Sequence, residues 1–308
     1  LFSDDVEFQN LGLVIVDEQH RFGVAQRLAL KNKGRDVHQL MMSATPIPRT
    51  LAMSFFADLD VSVIDELPPG RTPIKTRLVN NVRRAEVEGF VLNICRKGQQ
   101  AYWVCPLIEE SETLQLQTAT ETLEQLQAAL PELNIGLVHG RMKAAEKAEV
   151  MAEFAAGRLN VLVATTVIEV GVDVPNAALM VIEHTERMGL AQLHQLRGRV
   201  GRGAAESVCV LLFAEPLSEL AKARLKVIYE HTDGFEIARQ DLNIRGPGEF
   251  LGARQSGVPM LRFANLEEDL HLLEQAREIA PMLIEQNPEI VEAHLARWLS
   301  SREGYLGV

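Results

Sequence analysis

Short apolar runs alternate with segments of helical periodicity along most of the chain. Eight of the runs have the length and composition of buried strands. The predicted strands lie at residues 11–18, 38–45, 74–79, 101–105, 134–139, 160–165, 178–183 and 207–213. Apolar residues recur at helical spacing at 83–97, 118–130, 143–156 and 190–200. This alternation predicts an α/β protein in which parallel sheets carry helices on both faces.

A proline-rich stretch divides the predicted elements. The sequence LPPGRTP at residues 67–73 cannot continue a helix or an inner strand, so we interpret it as a linker. It separates a short first unit, residues 1–66, from a second α/β unit, residues 74–214. Because the sequence opens on Leu1 without a clear element, we expect a fragment that lacks an N-terminal portion.

The remaining residues, 215–308, change to a helical pattern that a glycine-rich segment at 243–257 interrupts. The tail at 266–301 is predicted to form helices, with Pro281 and Pro288 as the breaks between them.

Composition restricts the class of protein. The 308 residues are 47% hydrophobic, which is enough for two buried cores. No apolar run approaches the ~20 residues that span a bilayer, and no signal peptide is recognisable, so we expect a cytoplasmic protein. The cysteines Cys95, Cys105 and Cys209 stand singly in apolar stretches and are predicted to be reduced core residues.

The formal net charge of −11 argues against a protein that coats nucleic acid. It does not exclude a DNA motor, because a local groove of Arg and Lys can bind phosphate while the rest of the surface is acidic. Binding through such a groove should weaken as salt rises.

Two predicted strands of the first unit end in polar residues. The run VIVDEQH ends in Asp17 and Glu18, at the strand end where open α/β folds bind ligands. One carboxylate can hold Mg²⁺ and the other can orient an attacking water, although a surface turn explains an isolated acidic pair as well. In SATP, Ser43 and Thr45 could relay between domains or simply cap a helix.

The sequence QLRGRVGRG at residues 195–203 is more specific. It holds Arg197, Arg199 and Arg202 with two interleaved glycines, each of which costs a helix about 1 kcal/mol relative to alanine. The segment therefore suits close approach to a charged ligand, and its arginines can stabilise the charge of a transferring phosphoryl group. The alternative is a solvated basic helix.

A fourth segment, ATTVIEVGVDVPNA at residues 164–177, ends a strand in paired threonines. Hydroxyl groups and backbone N–H groups at such a point can hold a DNA phosphate or a ribose. His139, in VHGRM, also ends a strand, and a structural role explains it equally well.

The order of DEQH, SATP, TTVIEVGVDVP and QLRGRVGR resembles that of superfamily 2 DNA helicases. The sequences DEQHRFGVAQR, ELPPGRTPI and ARQDLNIRGPGEFLGARQSG are similar to the RecG family in particular, with the Mfd family as the nearest competitor. The resemblance implies RecA-like parallel sheets with helices on both faces, a partial first lobe, a complete second lobe and a helical C-terminal segment. It also implies ATP and Mg²⁺ as cofactors, and forks and Holliday junctions as the DNA remodelled in recombination and repair.

The resemblance further implies a role for each matching residue. Asp17 would bind Mg²⁺, through water, Glu18 would activate the hydrolytic water, and Ser43 and Thr45 would couple hydrolysis to movement. The residues expected on the nucleotide side of the second lobe are Gly171, Asp173, Gln195, Arg199 and Arg202. The residues expected to face DNA are His139, Thr165, Thr166 and Glu169. The residues expected in a translocation element are Arg239, Gln240, Arg245 and Gln255.

No G-x-x-x-x-G-K-[ST] phosphate loop occurs in the sequence, and the N-terminal wedge domain of the family has no counterpart. We therefore predict that the 308-residue chain alone is inactive and that residues 1 to 66 are poorly stable. The open alternatives are a nucleic-acid-binding module without activity and an Mfd-type translocase that acts on stalled RNA polymerase. The family resemblance also favours monomeric action near the bacterial nucleoid.

Overall fold

The computed structural model of the chain forms two compact units. The first combines Leu1–Leu59 with Gln255–Val308, and the second is Asp60–Arg254. The residues that the structure describes are 3, 5–18, 22, 26, 29–30, 32–34, 37–43, 60–66, 71, 73–105, 112–165, 174–203, 205–245 and 270–299. The helices and strands below are numbered within these residues.

The second unit is built on a six-stranded parallel sheet. Its strands are β3 (Lys75–Asn80), β4 (Gln100–Val104), β5 (Ile135–Val138), β6 (Val161–Ala164), β7 (Ala177–Ile182) and β8 (Val208–Phe213). They lie in the order β3-β8-β7-β4-β6-β5, and every neighbouring pair is parallel. All residues of the central strands β4, β6 and β7 are buried, which explains why these strands appear in the sequence as continuous apolar runs.

Helices cover both faces of this sheet. They are α1 (Arg84–Arg96), α2 (Glu112–Ala129), α3 (Ala144–Ala155), α4 (Leu190–Arg197), α5 (Glu219–Glu230) and α6 (Gly234–Arg245). On one face, α1 and α2 pack around Trp103. On the other, α3 to α6 pack around Tyr102, with Phe154, Leu193, Ile228 and Ile237 among the buried residues. The predicted fold class is thereby confirmed for this unit.

The three cysteines are buried free thiols, as predicted. Burial raises the pKa of Cys95 to about 11 and that of Cys105 and Cys209 to about 12. These thiols therefore stay protonated at neutral pH and serve as small apolar core groups.

The first unit contains a two-stranded parallel sheet of β1 (Leu13–Val16) and β2 (His38–Met41). One face of β1 is buried through Val14 and Val16, which pack with Leu30. Its other face carries Leu13 and Ile15, which are 55% and 58% exposed. Among the described residues, the buried core of this unit consists of Val14, Val16 and Leu30 and is much smaller than that of the six-stranded sheet.

Two helices, α7 (Leu270–Gln286) and α8 (Pro288–Leu299), contact each other and belong to the first unit. The predicted break at Pro288 is confirmed, since this proline is the first residue of α8. The predicted break at Pro281 is wrong, because α7 continues through it. Residues 278–286 are exposed, so water can satisfy the carbonyl group that loses its N–H partner.

No helix in the described part of the chain is both long and apolar enough to cross a membrane.

Candidate functional site

The first unit brings together three of the predicted residues at one edge of its sheet. Asp17 and Glu18 directly follow β1, and Ser43 follows β2. Because the strands are parallel with Val16 opposite Met41, all three residues lie at the carboxyl edge. This arrangement agrees with the expected ligand side of an open α/β sheet.

The backbone of this edge holds the acidic pair in a tight turn. The backbone N–H of Glu18 donates to Asp17 Oδ1 at 2.8 Å, and Glu18 has a φ of 50°. This left-handed conformation is unfavourable for a residue with a side chain and is typical of functional turns. Asp17 is exposed and Glu18 is half-buried. An exposed carboxylate suits Mg²⁺, which usually binds one or two carboxylates and keeps several waters.

No group of three or more His, Cys, Asp or Glu side chains in the described residues could hold a metal ion by itself.

The second unit carries the arginine turn, which we define as residues 198–203 after α4. Gly198 ends the helix with an ordinary φ of −66°, whereas Gly201 has a φ of 80°, which glycine adopts without strain. A Cβ atom on Gly203 would lie 2.3 Å from the carbonyl oxygen of Pro175. Gly201 and Gly203 therefore serve backbone conformation and packing, a reason that differs from the ligand approach inferred from the sequence.

The arginine turn lies at the amino edge of the sheet, because Pro175 precedes β7. Gln195 in α4 and Arg199 in the turn are half-buried, and Arg202 is exposed. The fold thus gathers the three residues expected to reach phosphate around one helix end. Their contact with a phosphate stays a prediction.

Arg197 plays a different part from the two arginines that follow it. It is 3% exposed, and desolvation by burial lowers its pKa. Its guanidinium contacts Ile228 O at 2.8 Å, His231 O at 2.9 Å, His194 Nδ1 at 3.1 Å, Thr76 Oγ1 at 3.3 Å and Thr232 O at 3.3 Å. The carbonyl groups belong to the C-terminal end of α5, which has no further helical N–H donors. Arg197 therefore joins α4 to the connection between α5 and α6.

His194 completes this contact as a neutral acceptor. Burial lowers its pKa to about 4, with further lowering by Arg197 and Arg71 and an opposing effect of Asp233. At neutral pH the ring is uncharged, so its Nδ1 can accept from the Arg197 guanidinium.

The opposite, carboxyl edge of the sheet brings His139 and Thr165 together. They directly follow the neighbouring strands β5 and β6, and Thr165 N donates to Val138 O at 3.3 Å. Among the described residues, the buried atoms His139 Nδ1 and Thr165 Oγ1 have no hydrogen-bond partner. Such atoms are uncommon in folded proteins and suit a ligand that supplies the partner.

Two cations and one carboxylate lie near His139 at this edge. Burial lowers the pKa of His139, and the charges of Lys147 and Arg141 lower it further, whereas Glu146 raises it. The two cations lie near the His139 ring, so an anion such as phosphate is favoured there.

Helix α6 carries three residues of the predicted translocation element. Arg239 donates to Glu236 through Nε at 3.0 Å and Nη2 at 2.8 Å, and Gln240 Nε2 donates to Glu236 Oε1 at 2.8 Å. These bonds lower the pKa of Glu236 to about 2. Arg245 is the last residue of α6. Contact of these residues with DNA stays a prediction.

Six of the predicted site residues lie outside the described part of the chain. They are Thr45, Thr166, Glu169, Gly171, Asp173 and Gln255.

A polar cluster at the carboxyl ends of β4 and β7 was not predicted from the sequence. Glu183 is 5% exposed and accepts from Trp103 Nε1 at 2.9 Å and from Arg84 Nη1. The Arg84 guanidinium lies 5.0 Å from the centre of the Trp103 ring, and its Nε donates to Glu88 at 3.0 Å. These contacts attach α1 to the sheet. The signal in the sequence was the acid that ends ALMVIE.

Two sequence models of known families match the chain. The model described as "Helicase conserved C-terminal domain" matches residues 86–204, and the model described as "ATP-dependent DNA helicase RecG, domain 3, C-terminal" matches residues 231–299. The first match includes the arginine turn, and the second includes all of α6.

Named relatives are similar over almost the whole chain. The ATP-dependent DNA helicase RecG of Acidithiobacillus ferridurans is 59% identical over 99% of this chain, and that of Escherichia coli strain K12 is 57% identical over 99%. The chain spans 45% of the length of each of these relatives.

Among solved structures, RecG bound to a three-way DNA junction is 51% identical, with a TM-score of 0.68 over 89% of this chain and 35% of that one. Dbp5 of S. cerevisiae bound to RNA and ADP BeF3 is 14% identical, with a TM-score of 0.53 over 77% of this chain and 64% of that one. The second likeness shows only a shared fold.

Proposed function

The chain belongs to the RecG family of ATP-dependent DNA helicases, and from this premise we propose that it is the C-terminal part of an ATP-driven motor that remodels branched DNA. One observation carries the proposal: the six-stranded sheet has the arginine turn at its amino edge, and at its carboxyl edge it has two cations near polar atoms without a partner among the described residues. A motor needs two such places, because one must contact ATP and the other must contact DNA.

For the nucleotide, we assign phosphate contact to Gln195, Arg199 and Arg202. This assignment is supported by the exposure of Arg202, whereas the neighbouring Arg197 is buried and donates to backbone carbonyl groups. Arginines that contact a transferring phosphoryl group stabilise the charge that develops on it. Family resemblance assigns a nucleotide role to Gly171 and Asp173 as well, which are outside the described residues.

In the first unit, we assign Mg²⁺ binding, through water, to Asp17 and orientation of the attacking water to Glu18. A bound Mg²⁺ would neutralise phosphate charge during hydrolysis. The exposure of Asp17 and the strained turn at Glu18 support the assignment. Ser43 and Thr45 would then couple hydrolysis to movement.

For DNA, we assign backbone contact to His139 and Thr165, and family resemblance assigns the same role to Thr166 and Glu169. The atoms His139 Nδ1 and Thr165 Oγ1, which have no partner within the described residues, and the nearby cations support a phosphate contact. The branched substrate is inferred from the RecG relative that was solved with a three-way junction. Arg239, Gln240, Arg245 and Gln255 would belong to the translocation element.

The Mfd-type alternative is less well supported, because a RecG-specific sequence model matches residues 231–299. A binding module without activity remains the alternative for the 308 residues taken alone, since no phosphate loop occurs in them.

The test is ATP hydrolysis with and without forked DNA. It compares this chain with a longer version that extends upstream through a phosphate loop and a wedge domain. We expect DNA-stimulated hydrolysis only in the longer protein, with a loss of about 10³-fold on Arg202→Ala. Arg158→Ala is the matched control, because Arg158 is exposed and pairs with Glu153.

If the longer protein shows no DNA-stimulated hydrolysis, the motor assignment is wrong and a binding module remains. If Arg202→Ala and Arg158→Ala retain equal activity, the phosphate role of the arginine turn is wrong.

A further inference from the structure

A fourth arginine, distant in sequence, reaches the arginine turn. Arg71 lies in the predicted linker, and its Nη2 donates to the carbonyl oxygen of Gly198 at 2.9 Å across 127 positions of sequence. Arg71 is half-buried, and its charge is close enough to His194 to contribute to the lowered pKa of that ring. Arg71 is therefore bonded to the end of α4.

The bonded carbonyl is a favourable partner for a cation. Gly198 is the C-cap of α4. At this end of a helix the carbonyl groups lack N–H donors, and the helix dipole has its negative end there. Arg197 does not serve this carbonyl, because its own contacts go to α5 and the connection after it. Arg71 thus fills a position that the neighbouring arginine leaves open.

The contact also fixes the first peptide of the arginine turn. The Gly198 carbonyl and the Arg199 N–H belong to one planar peptide group. Arg71 holds the carbonyl side, and Leu196 O accepts from Arg199 N at 3.0 Å on the other side. The direction in which the Arg199 side chain leaves the backbone therefore depends on both contacts.

We propose that Arg71 is a positioning residue that holds the Gly198 carbonyl of the arginine turn and sets the orientation of Arg199 for phosphate contact. The proposal rests on the function proposed above, because it assigns a task to the same site.

The test uses the longer, DNA-stimulated protein and measures kcat and KM for ATP separately. We expect Arg71→Ala to lower kcat about tenfold and to change KM less than about twofold, since it misplaces a group used in the transition state. Arg71→Lys keeps a charged donor and should recover most of kcat, whereas Arg71→Gln should not. Arg158→Ala, at an exposed position, should behave like the wild type.

A double variant separates positioning from general stability. When Arg199 is already alanine, adding Arg71→Ala should lower kcat by less than about twofold, because the residue it positions is gone. If Arg71 had only a structural role, the loss of kcat in the double variant would instead be the product of the losses in the two single variants. If Arg71→Ala unfolds the protein, the Lys and Gln variants carry the same comparison.

Two outcomes overturn the proposal: a fully active Arg71→Ala protein, or equal losses with and without the Arg199 side chain. An inactive wild type would instead reject the motor function itself, so the two failures are distinguishable.

Discussion

The polar groups at the two edges of the six-stranded sheet differ in whether they have hydrogen-bond partners among the described residues. At the amino edge, Arg197 has five acceptors and the Gly198 carbonyl has Arg71, so the turn is held by satisfied contacts. At the carboxyl edge, the buried atoms His139 Nδ1 and Thr165 Oγ1 have no partner among the described residues. The first edge is therefore held by contacts within the chain, whereas the second has buried polar atoms whose partners could come from a ligand.

The largest expected effect is on stability, and it distinguishes the buried Arg197 from Arg199. Arg197→Met should lower the free energy of unfolding of the second unit by about 3–5 kcal/mol, because it leaves buried carbonyl groups without donors. Urea unfolding followed by Trp103 fluorescence, with Trp298 replaced by Phe, measures this. Arg199→Met is the matched control and should reduce ATP hydrolysis in the longer protein without a comparable loss of stability. Equal stability of the two variants would contradict the assignment.

A second prediction compares two glycines of the arginine turn. Gly203→Ala should destabilise the second unit by about 2 kcal/mol, because its Cβ meets the backbone of Pro175 at 2.3 Å. Gly198→Ala should change stability by less than about 1 kcal/mol, since its Cβ would have ordinary contacts of 3.4 Å or more. The same unfolding measurement applies, and a reversed order of the two variants would reject the packing of this turn.

The third prediction concerns pH. The folded-state pKa of His194 is lowered from 6.5 to about 4, so the unfolded chain takes up a proton that the folded chain does not. Stability should therefore fall as pH falls from about 6.5 to about 4, by about 2 kcal/mol at pH 5. His194→Gln keeps an acceptor for Arg197 and should remove this part of the pH dependence. Urea unfolding at pH 7 and pH 5 tests it, with His294→Gln in the other unit as the control.

The smallest effect addresses the carboxyl edge. Thr165→Val should leave the free energy of unfolding unchanged or raise it by up to about 1 kcal/mol, because Oγ1 has no partner to lose within the described part of the chain. DNA affinity of the longer protein should fall roughly threefold. Thr76→Val is the contrasting control, since Thr76 Oγ1 accepts from Arg197. A Thr165→Val protein that is clearly less stable would show that the hydroxyl is structural.

The sequence was most informative where burial on both faces produces an unbroken signal. All eight predicted strands are present, because central parallel strands such as β4 and β7 must be apolar along their whole length. Helix ends were less well predicted: α4 ends at Arg197 rather than at residue 200, since Gly198 caps it. Pro281 misled the prediction because a single proline is tolerated in an exposed helix.

Side-chain roles within one motif were harder to separate. The sequence places Arg197, Arg199 and Arg202 in a single basic run, and their chemistry is identical. Only the packing of α5 against α4 shows that Arg197 is buried and donates to carbonyl groups at the end of α5. The Glu183 cluster was missed for the same reason, because its partners Trp103 and Arg84 come from distant segments.

The sequence by itself determined the α/β class, the strands and the family, because periodicity and motif order are local properties that survive without coordinates. The tertiary structure alone decided that the arginine turn and the His139–Thr165 pair lie at opposite edges of one sheet. It also decided which arginines serve the fold and that Arg71 reaches across 127 residues to Gly198. All of these depend on contacts between segments that are distant in sequence. Such burial and hydrogen bonding exist only once the chain has folded.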